Sequence, residues 1–325
     1  MKTRALFPAS AAAAFVLGIA ISPADETSSI QIAETPETLT ISRGDTPVLT
    51  YHKADVSPPE GVDPIYTRSG FIYPVHAPGG GIVTGIHPDD HYHHLGLWHA
   101  WVMTEYDGRK PDFWNLKKQT GRVRFGGESE VTENGFTVRQ EQVAFLDGPD
   151  SEPSVILEEK LRVTVGFIDG ANVIDYDLEQ TNVTSKPITF PAYRYGGGIA
   201  YRGPLGWDKE NSDYLTSEGL DRTNSHATRA RWVAMHGPAE QADGKLGKDL
   251  ATVTILCHPE NHDAPQRIRT WDKGMVFFNY VPVQETGWEI KPSETVTLRY
   301  RLVISDGEPD AQATAARWDT YAGGD

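Results

Sequence analysis

The stretch from His87 to Trp114 concentrates the side chains that could do chemistry. Five of the eleven histidines lie between His87 and His99, and three of the eight tryptophans lie between residues 98 and 114. An imidazole changes charge near neutral pH and also binds transition metals, while an indole ring offers a flat apolar face for stacking. The stretch is therefore the first candidate for a functional site.

Three hypotheses fit this stretch. In the first, His91 or His94 transfers a proton with the help of Asp90 and needs no cofactor, because imidazole suits acid–base catalysis near pH 7. In the second, three of the histidines, with or without Asp90, bind Zn or Cu, although their spacing matches no zinc signature. In the third, the histidines are structural and hydrogen-bonded. The candidate catalytic residues are Asp90, His91, His93, His94 and His99.

The order of residues around Gly96 suggests how such a site could be arranged. If this segment is a strand, successive side chains point to opposite faces. His94 and Trp98 then share one face, and His93 and His99 share the other. Gly96 leaves open space between His94 and Trp98. That face would accept a sugar ring stacked on Trp98, with His94 donating a hydrogen bond or a proton.

Further candidates for substrate binding lie elsewhere in the chain. Arg194 and Arg202 flank three consecutive glycines, and each could hold a carboxylate or sugar hydroxyls. The glycines are typical of a bulge or of a close approach between backbones. His226 lies in a long polar stretch, and long loops are often functional. The substrate-binding candidates are Trp98, Trp114, Tyr193, Arg194, Arg202, His226, His262 and Asn279.

Composition excludes several classes of function. The net charge of −15 argues against nucleic acid or an anionic membrane as the main partner, because both require a basic surface. The sequence has no Gly-x-Ser-x-Gly elbow, which argues against a serine hydrolase. The single cysteine, Cys257, cannot form an internal disulfide and lies in an apolar run that is typical of a buried strand. A small-molecule substrate is left as the expected partner.

The N-terminus, residues 1–24, has the pattern of a signal peptide. Lys2 and Arg4 precede an apolar run at residues 11–21 that is too short to span a bilayer. Residues 25–38 are rich in Thr, Ser, Glu and Pro and are expected to form a flexible lead-in. No second hydrophobic span follows. The sequence therefore predicts a mature protein in the periplasm or outside the cell.

The remaining sequence, residues 39–325, alternates in the manner of β-strands. The pair Asp169-Gly170 lies between two such runs and is typical of a hairpin turn. Helical periodicity is confined to residues 309–321, where one short helix is expected. Successive strands without helices between them favour an antiparallel sandwich or barrel. Because no Pro/Ser-rich linker divides the middle, a single domain is predicted.

The histidine motif resembles that of a known family. Asp90-His-Tyr-His-His-Leu-Gly-Leu-Trp98, followed by Asp112-Phe-Trp114, is similar to the core motif of the PmoA-like family of secreted bacterial proteins. The resemblance covers most of residues 70–307, with departures at Tyr92, where Pro is usual, and at Leu95, where a polar residue is common. Other similar segments, in the same order, are Tyr195-Gly-Gly-Gly-Ile-Ala-Tyr-Arg202, Ala230-Arg-Trp232, His258-Pro-Glu-Asn261 and Glu294-Thr-Val-Thr-Leu-Arg-Tyr-Arg301.

The resemblance implies a fold and a function. The family is commonly labelled methane oxygenase, but the monooxygenase subunit of similar name has several membrane spans, which this chain lacks after the signal. The closing strands are similar to those of galactose-mutarotase-type supersandwich proteins, which act mainly on carbohydrates. A β-supersandwich is therefore expected, with a glycoside hydrolase or lyase activity that uses the histidines as acid and base. A His-ligated metalloenzyme of the oxygenase type and a non-catalytic sugar-binding protein are the alternatives.

Overall fold

The computed structural model describes residues 29–323, and these form antiparallel strands, turns and one α-helix. The predicted signal peptide, residues 1–24, lies outside this part of the chain. Single turns of 3₁₀-helix occur at Pro64–Tyr66 and Leu116–Lys118. The strands and the helix are β1 (Ile30–Glu34), β2 (Thr38–Arg43), β3 (Thr46–His52), β4 (Phe71–Val75), β5 (Leu97–Trp98), β6 (Gly121–Val131), β7 (Gly135–Ala144), β8 (Ser154–Ile168), β9 (Ala171–Asn182), β10 (Ile188–Phe190), β11 (Ala200–Arg202), β12 (Asp213–Thr216), β13 (Trp232–Glu240), β14 (Leu246–Cys257), β15 (Arg267–Arg269), β16 (Phe277–Val281), β17 (Trp288–Ile290), β18 (Thr295–Asp306) and α1 (Ala311–Gly323).

Two large antiparallel sheets form the body of the protein. The first has the strand order β1-β2-β3-β4-β5-β11-β16-β15, and the second has the order β12-β13-β14-β18-β9-β8-β7-β6. Apolar side chains from both sheets meet in one buried cluster, for example Ile72 and Tyr201 from the first sheet and Leu161 and Tyr300 from the second. The antiparallel β-supersandwich with one C-terminal helix is thus confirmed.

The predicted hairpin at residues 169–170 is confirmed in detail. Ile168 at the end of β8 pairs with Ala171 at the start of β9, so the loop contains only Asp169 and Gly170. Both residues have positive φ values, 51° and 76°, as a type I′ turn requires. The local sequence therefore fixes the pairing of two long strands.

Part of the segment expected to be a flexible lead-in is a strand, so this prediction was wrong for residues 30–34. Strand β1 pairs with β2 and places Ile32 opposite Ile41. Ile30 and Ile32 pack against the main core. Two isoleucines spaced by two residues give the segment one apolar face, which the polar composition of its neighbours concealed.

The C-terminal helix lies where the sequence predicts it. The Oδ1 atom of Asp310 accepts hydrogen bonds from the backbone N–H groups of Gln312 and Ala313, both at 2.9 Å, and so caps the helix. The indole N–H of Trp318 donates to the carbonyl of Cys257 at 3.0 Å. The helix is thereby docked on the end of β14. Among residues 29–323, no helix combines the length and apolar character needed to cross a bilayer.

A second buried cluster contains several large aromatic side chains, including Trp98, Trp101, Trp114 and Phe277. Strands β5, β11 and β16 are neighbours in the first sheet, and Ala200 pairs with Trp98 on one side and with Asn279 on the other. This arrangement brings the histidine motif, the glycine run at residues 196–198 and the segment around residue 277 together, although they are distant from one another in the chain.

Candidate active site

The histidine motif folds as a compact turn, and the strand expected around Gly96 begins only after it. The backbone N–H of His94 donates to the carbonyl of His91 at 2.9 Å. Gly96 has a φ of 67°, and a Cβ atom there would lie 2.3 Å from the carbonyl oxygen of Ile72. Only glycine fits this backbone conformation and this close approach. The predicted division of the histidines between two strand faces was therefore wrong.

A pocket of about 170 Å³ lies beside this turn. We call it the arginine–histidine pocket. Four segments contribute to it, namely the histidine turn, residues 114–115, the residues before β11, and the segment from the end of β15 to the start of β16. None of the described residues that line it is Asp or Glu. The lining consists of His91, His93, His94, Trp114, Asn115, Arg194, Tyr195, Arg269, Trp271 and Phe277.

His94 is held between two parallel rings. It is 3% exposed, and its centroid is 4.7 Å from that of His91 and 4.7 Å from that of Phe277, with interplanar angles of 17° and 16°. Burial, followed by the positive potential of His93 and Arg202, holds the pKa of His94 well below its ordinary value. The imidazole is therefore neutral at physiological pH.

The tautomer of His94 follows from its contact with Arg202. An Nη1 atom of the guanidinium lies 3.5 Å from Nδ1 of His94, and a guanidinium can only donate hydrogen bonds. Nδ1 is thus the acceptor, and the proton of the neutral ring is on Nε2. Arg202 is itself buried behind His94, and its Nη2 atom lies 3.6 Å from Oδ1 of Asp90. His94 is therefore a hydrogen-bond donor through Nε2 and not a base.

His91 has the opposite arrangement. Its side chain is 30% exposed, and its Nδ1 atom lies 3.3 Å from Oδ2 of Asp90. Nδ1 makes no hydrogen bond of good geometry in the described part of the chain, so the contact with Asp90 is electrostatic. A carboxylate beside Nδ1 favours the tautomer with the proton on that nitrogen. The lone pair on Nε2 then makes His91 the pocket histidine arranged to accept a proton.

His93 lines the same pocket and is also neutral at physiological pH. Its ring stands edge-on to His91 and His94, with centroid distances of 5.6 and 4.9 Å. Burial, followed by the positive potential of His91 and Arg68, lowers the pKa of His93 to about 4.

The pocket histidines do not converge on a common point. Because the rings of His91 and His94 are stacked, their nitrogens lie in separate, nearly parallel planes. Within residues 29–323, no group of three or more His, Cys, Asp or Glu side chains is placed to hold a metal ion. The donor arrangement that the Zn or Cu hypothesis requires is thus not found in this part of the chain.

Two arginines in the pocket have aromatic neighbours but no carboxylate partner among the described residues. The guanidinium carbon of Arg194 lies 5.6 Å from the ring centre of Tyr195, and that of Arg269 lies 5.4 Å from the same ring. Arg269 is also 5.0 Å from the ring centre of Trp271. Burial, followed by the charge of Arg194, lowers the pKa of Arg269. The pocket is therefore locally basic in a protein of net charge −15.

A chain of hydrogen bonds fixes Tyr195. Its hydroxyl donates to Oδ1 of Asn115 at 3.2 Å, and Nδ2 of Asn115 donates to Oδ2 of Asp112 at 2.8 Å. Asp112 is buried and also accepts from the backbone N–H of Trp114 and from Nζ of Lys118. Burial raises the pKa of Tyr195 to about 12, so its hydroxyl keeps its proton at neutral pH. The Asp-Phe-Trp motif thus positions Tyr195.

Three substrate-binding candidates, namely Trp98, Tyr193 and Arg202, lie beside the pocket without lining it. Trp98 is 1% exposed and packs against His94 and Trp114, at centroid distances of 5.3 and 5.0 Å. Its indole face is covered, so the expectation that it stacks on a sugar was wrong. Tyr193 packs against Tyr195 at 5.1 Å, and Arg202 lies behind His94. These three residues support the pocket walls.

His99 lies in a separate buried network between the two sheets. It is 2% exposed. Its Nε2 atom lies 2.8 Å from Nε2 of Gln180 and 3.3 Å from Oε1 of Glu159. The side chain of Arg68 donates to the backbone carbonyl of His99 at 3.0 Å. The expectation that His99 belongs to the catalytic group was therefore wrong, because its ring is enclosed by polar partners.

Three further candidates also lie outside the pocket. His262 stacks on Trp288, with a centroid distance of 4.1 Å and an angle of 3°. Asn279 is buried, accepts from the backbone N–H of Gly196 at 2.6 Å, and shapes the glycine run. His226 lines a neighbouring pocket. The expectation that Asn279 binds the substrate was wrong, because backbone groups of Gly196, Gly198 and Ile199 satisfy its side-chain amide.

Sequence reasoning missed half of the pocket, namely Asn115, Tyr195, Arg269, Trp271 and Phe277. A signal was present at residues 269–271, because Arg269 and Trp271 are separated by one residue and so share a face in an extended segment. Asn115 and Tyr195 directly follow the substrate-binding candidates Trp114 and Arg194. Nothing local indicated that Phe277 would form the floor beneath His94.

The fold and the pocket together define an antiparallel β-sandwich protein with a site made of histidines, arginines and aromatic rings. The chain belongs to the DUF6807 family, described as a family of unknown function, whose model matches residues 38–319. This finding corrects the resemblance drawn above, because the matching family is not the PmoA-like family. A comparison with curated proteins gives no match.

Several solved structures are similar in fold. A galactose mutarotase related enzyme from Lactobacillus acidophilus has a TM-score of 0.42 and 9% identity over 86% of this chain and 97% of its own. The heparan sulfate lyase HepC from Pedobacter heparinus has a TM-score of 0.38 and 9% identity over 84% of this chain and 34% of its own. The GH36 α-galactosidase AgaB from Geobacillus stearothermophilus has a TM-score of 0.32 and 12% identity over 85% of this chain and 41% of its own. These neighbours are carbohydrate-active enzymes, but at these TM-scores their activities are not carried over to this chain.

Proposed function

We propose that this protein is a carbohydrate-active lyase, which cleaves a glycosidic link to a uronic acid by β-elimination. The observation that carries the proposal is the composition of the arginine–histidine pocket. It combines Arg194 and Arg269, which have no carboxylate partner among the described residues, with three histidines, of which His93 and His94 are neutral, and with Tyr195. Such a pocket suits an anionic sugar on which a proton is removed and another is donated.

The same composition argues against the hydrolase half of the sequence-based hypothesis. Most glycoside hydrolases use a pair of Asp or Glu side chains, separated by roughly 5 to 9.5 Å, as acid and as base or nucleophile. None of the described lining residues is a carboxylate. Asp90, which directly precedes His91, contacts His91 and Arg202. An elimination that uses a histidine and a tyrosine is therefore the better match.

The proposed reaction begins with binding of the sugar carboxylate by Arg194 and Arg269. Two positive charges beside the carboxylate stabilise the negative charge that develops when the C5 proton leaves. Nε2 of His91 accepts that proton, and its electron pair forms the C4=C5 double bond as the C4–O4 bond breaks. The departing O4 takes a proton from the hydroxyl of Tyr195, and solvent restores both residues. The products are a 4,5-unsaturated uronate and a fragment with a new reducing end.

Activity on uronate polymers tests this proposal. Polygalacturonate, alginate, hyaluronan and heparan sulfate would be incubated with the protein, and the ultraviolet absorbance of the conjugated double bond would be followed together with new reducing ends. Both signals should rise together for at least one polymer. Reducing ends without absorbance would indicate hydrolysis and contradict the proposal. Binding without either signal would favour the non-catalytic sugar-binding alternative.

The variant His91→Gln provides the matched test of the assigned base. It should abolish both signals, because glutamine cannot accept the proton. His236→Gln is the control, since His236, on β13 of the second sheet, pairs with Glu308 and lines neither the arginine–histidine pocket nor the neighbouring pocket of His226. Equal loss of activity in both variants would point to a general effect on folding.

We also propose that the protein is exported, on the basis of the basic and apolar pattern of residues 1–24. A polymeric substrate would be met outside the cytoplasm. Mass spectrometry of the protein from its native host should find an N-terminus near Asp25. An intact Met1 in the cytoplasmic fraction would contradict export.

A further inference from the structure

A second pocket adjoins the first. Its volume is about 390 Å³, and it is lined by Thr223, His226, Arg269, Thr270, Trp271 and Asp272. Arg269 and Trp271 also line the arginine–histidine pocket. The two pockets therefore share a wall, and a ligand longer than one sugar unit that fills the first would reach the second.

The second pocket is held in shape by a buried arginine. Arg222, 5% exposed, donates through Nη1 to the carbonyl of Trp271 at 3.2 Å and through Nη2 to the carbonyl of Ser212 at 2.9 Å. The hydroxyls of Ser225 and Thr270 lie 3.0 Å apart and share a hydrogen bond. The loop that carries His226 is thereby tied to the segment that carries Trp271. A preformed pocket of this kind lowers the entropy cost of binding.

The chemistry of the second pocket differs from that of the first. Thr223, His226 and Asp272 are exposed and offer a hydroxyl, an imidazole and a carboxylate. Burial, followed by the charge of Arg269, lowers the pKa of His226, so the ring is neutral and can donate one hydrogen bond and accept another. A carboxylate such as Asp272 accepts hydrogen bonds from sugar hydroxyls but repels a second uronate.

We infer that the second pocket, centred on His226 and Asp272, binds a neutral sugar unit next to the uronate held by Arg194 and Arg269. This inference rests on the proposed function and extends it. The substrate would then be a polymer in which uronates alternate with, or are flanked by, neutral sugars. Trp271 would contact both units from the shared wall.

Calorimetric binding to the His91→Gln variant tests the inference, because that variant should bind without turnover. The probes are glucuronate and galacturonate, disaccharides in which each is linked to a neutral hexose, and the matching diuronides. One of the neutral–uronate disaccharides should bind about tenfold more tightly than its monosaccharide. Adding His226→Ala or Asp272→Ala should remove this gain and leave monosaccharide affinity unchanged. Adding His236→Ala should have no effect.

The possible results separate the two proposals. If a monosaccharide binds but the disaccharides bind no better, the second pocket is not a sugar site, while the proposed function stands. Tighter binding of diuronides than of neutral–uronate disaccharides would overturn the assignment of a neutral unit. Failure of every uronate probe to bind would overturn the proposed function and the present inference with it.

Discussion

The rings of His91 and His94 lie parallel at 4.7 Å, yet their environments assign them opposite proton roles. Nδ1 of His94 faces the guanidinium of Arg202, and Nδ1 of His91 faces the carboxylate of Asp90. Asp90 also lies 3.6 Å from Arg202. The Asp90 carboxylate thus contacts the His91 ring directly and the guanidinium partner of His94, which leaves Nε2 of His94 as a donor and Nε2 of His91 as an acceptor.

The exposed position of His91 allows a clean test of its role. His91→Gln should lower kcat by about 10²- to 10⁴-fold, the usual contribution of a general base. The melting temperature should hardly change, because the side chain is 30% exposed. Steady-state kinetics on the active polymer, with circular dichroism on the same samples, would measure both. An unchanged kcat would show that another group removes the proton.

In the arginine–histidine pocket, binding of a uronate carboxylate is expected to depend more on the planar geometry of the arginine side chains than on their charge. Arg194→Lys and Arg269→Lys keep the positive charge but lose the planar fork that binds a carboxylate through two hydrogen bonds. Each should weaken uronate binding by about tenfold, which corresponds to roughly 1.4 kcal/mol. Arg162→Lys, at an exposed position on β8, is the control. Calorimetry that finds wild-type affinity in both pocket variants would contradict anion binding there.

His94 should contribute to stability as well as to the site. His94→Ala removes a ring packed between His91 and Phe277 and leaves Nη1 of the buried Arg202 without its imidazole acceptor. The unpaired group alone should lower the free energy of unfolding by about 1–3 kcal/mol. Urea denaturation would measure the change. Unchanged stability together with lost activity would show that Arg202 finds another partner.

Stability should fall on mild acidification. Burial lowers the pKa of His87 and of His93 to about 4 in the folded protein, below the value of about 6.5 expected in the unfolded chain. The unfolded state therefore binds more protons between these values, and each histidine reduces the free energy of unfolding by about 1.4 kcal/mol per pH unit as the pH falls from 6.5 to 4. Melting temperatures in His93→Gln should show a shallower acid slope. An identical slope in both proteins would refute this assignment.

Gly96 offers a test of backbone conformation with a matched control. Gly96→Ala introduces a Cβ atom 2.3 Å from a carbonyl oxygen at a φ of 67°. Gly80→Ala has a φ of 90° but no atom within 4 Å of the new Cβ, so it carries the conformational cost alone, about 1–2 kcal/mol. Gly96→Ala should therefore be the more destabilising variant in thermal melts and should disturb the histidine turn. Equal losses of stability in the two variants would show that strand β4 moves away from the new Cβ atom without a cost in free energy.

The fold could be predicted from the sequence because its signals are local. The Asp169-Gly170 turn and the run at residues 309–321 each act over a few residues, and both occur in the structure as expected. The strand at residues 30–34 was missed because only two isoleucines mark it. Its pairing with β2 depends on apolar surface supplied by the rest of the domain.

The pocket was predicted only in part, because its composition depends on which distant segments converge. The sequence singled out His91, His93, His94, Trp114 and Arg194, and these lie together. Whether an aromatic ring faces a ligand or the core is decided by packing, which is why Trp98 was chosen and Trp271 was not. Arg269 comes from β15, at the edge of the first sheet. No pattern in the neighbouring sequence indicates that this strand end lies beside the histidine motif.

The basic pocket on an acidic protein has a consequence for the rate at which an anionic polymer is captured. At long range the net charge of −15 repels such a chain, and at short range Arg194 and Arg269 attract its carboxylate. Salt screens distant charges more than close ones. Raising the ionic strength should therefore speed association while weakening the complex once formed. This is the reverse of the steering seen when a whole surface and its ligand carry opposite charges, and the protein would capture such a chain fastest where mobile ions screen its overall charge.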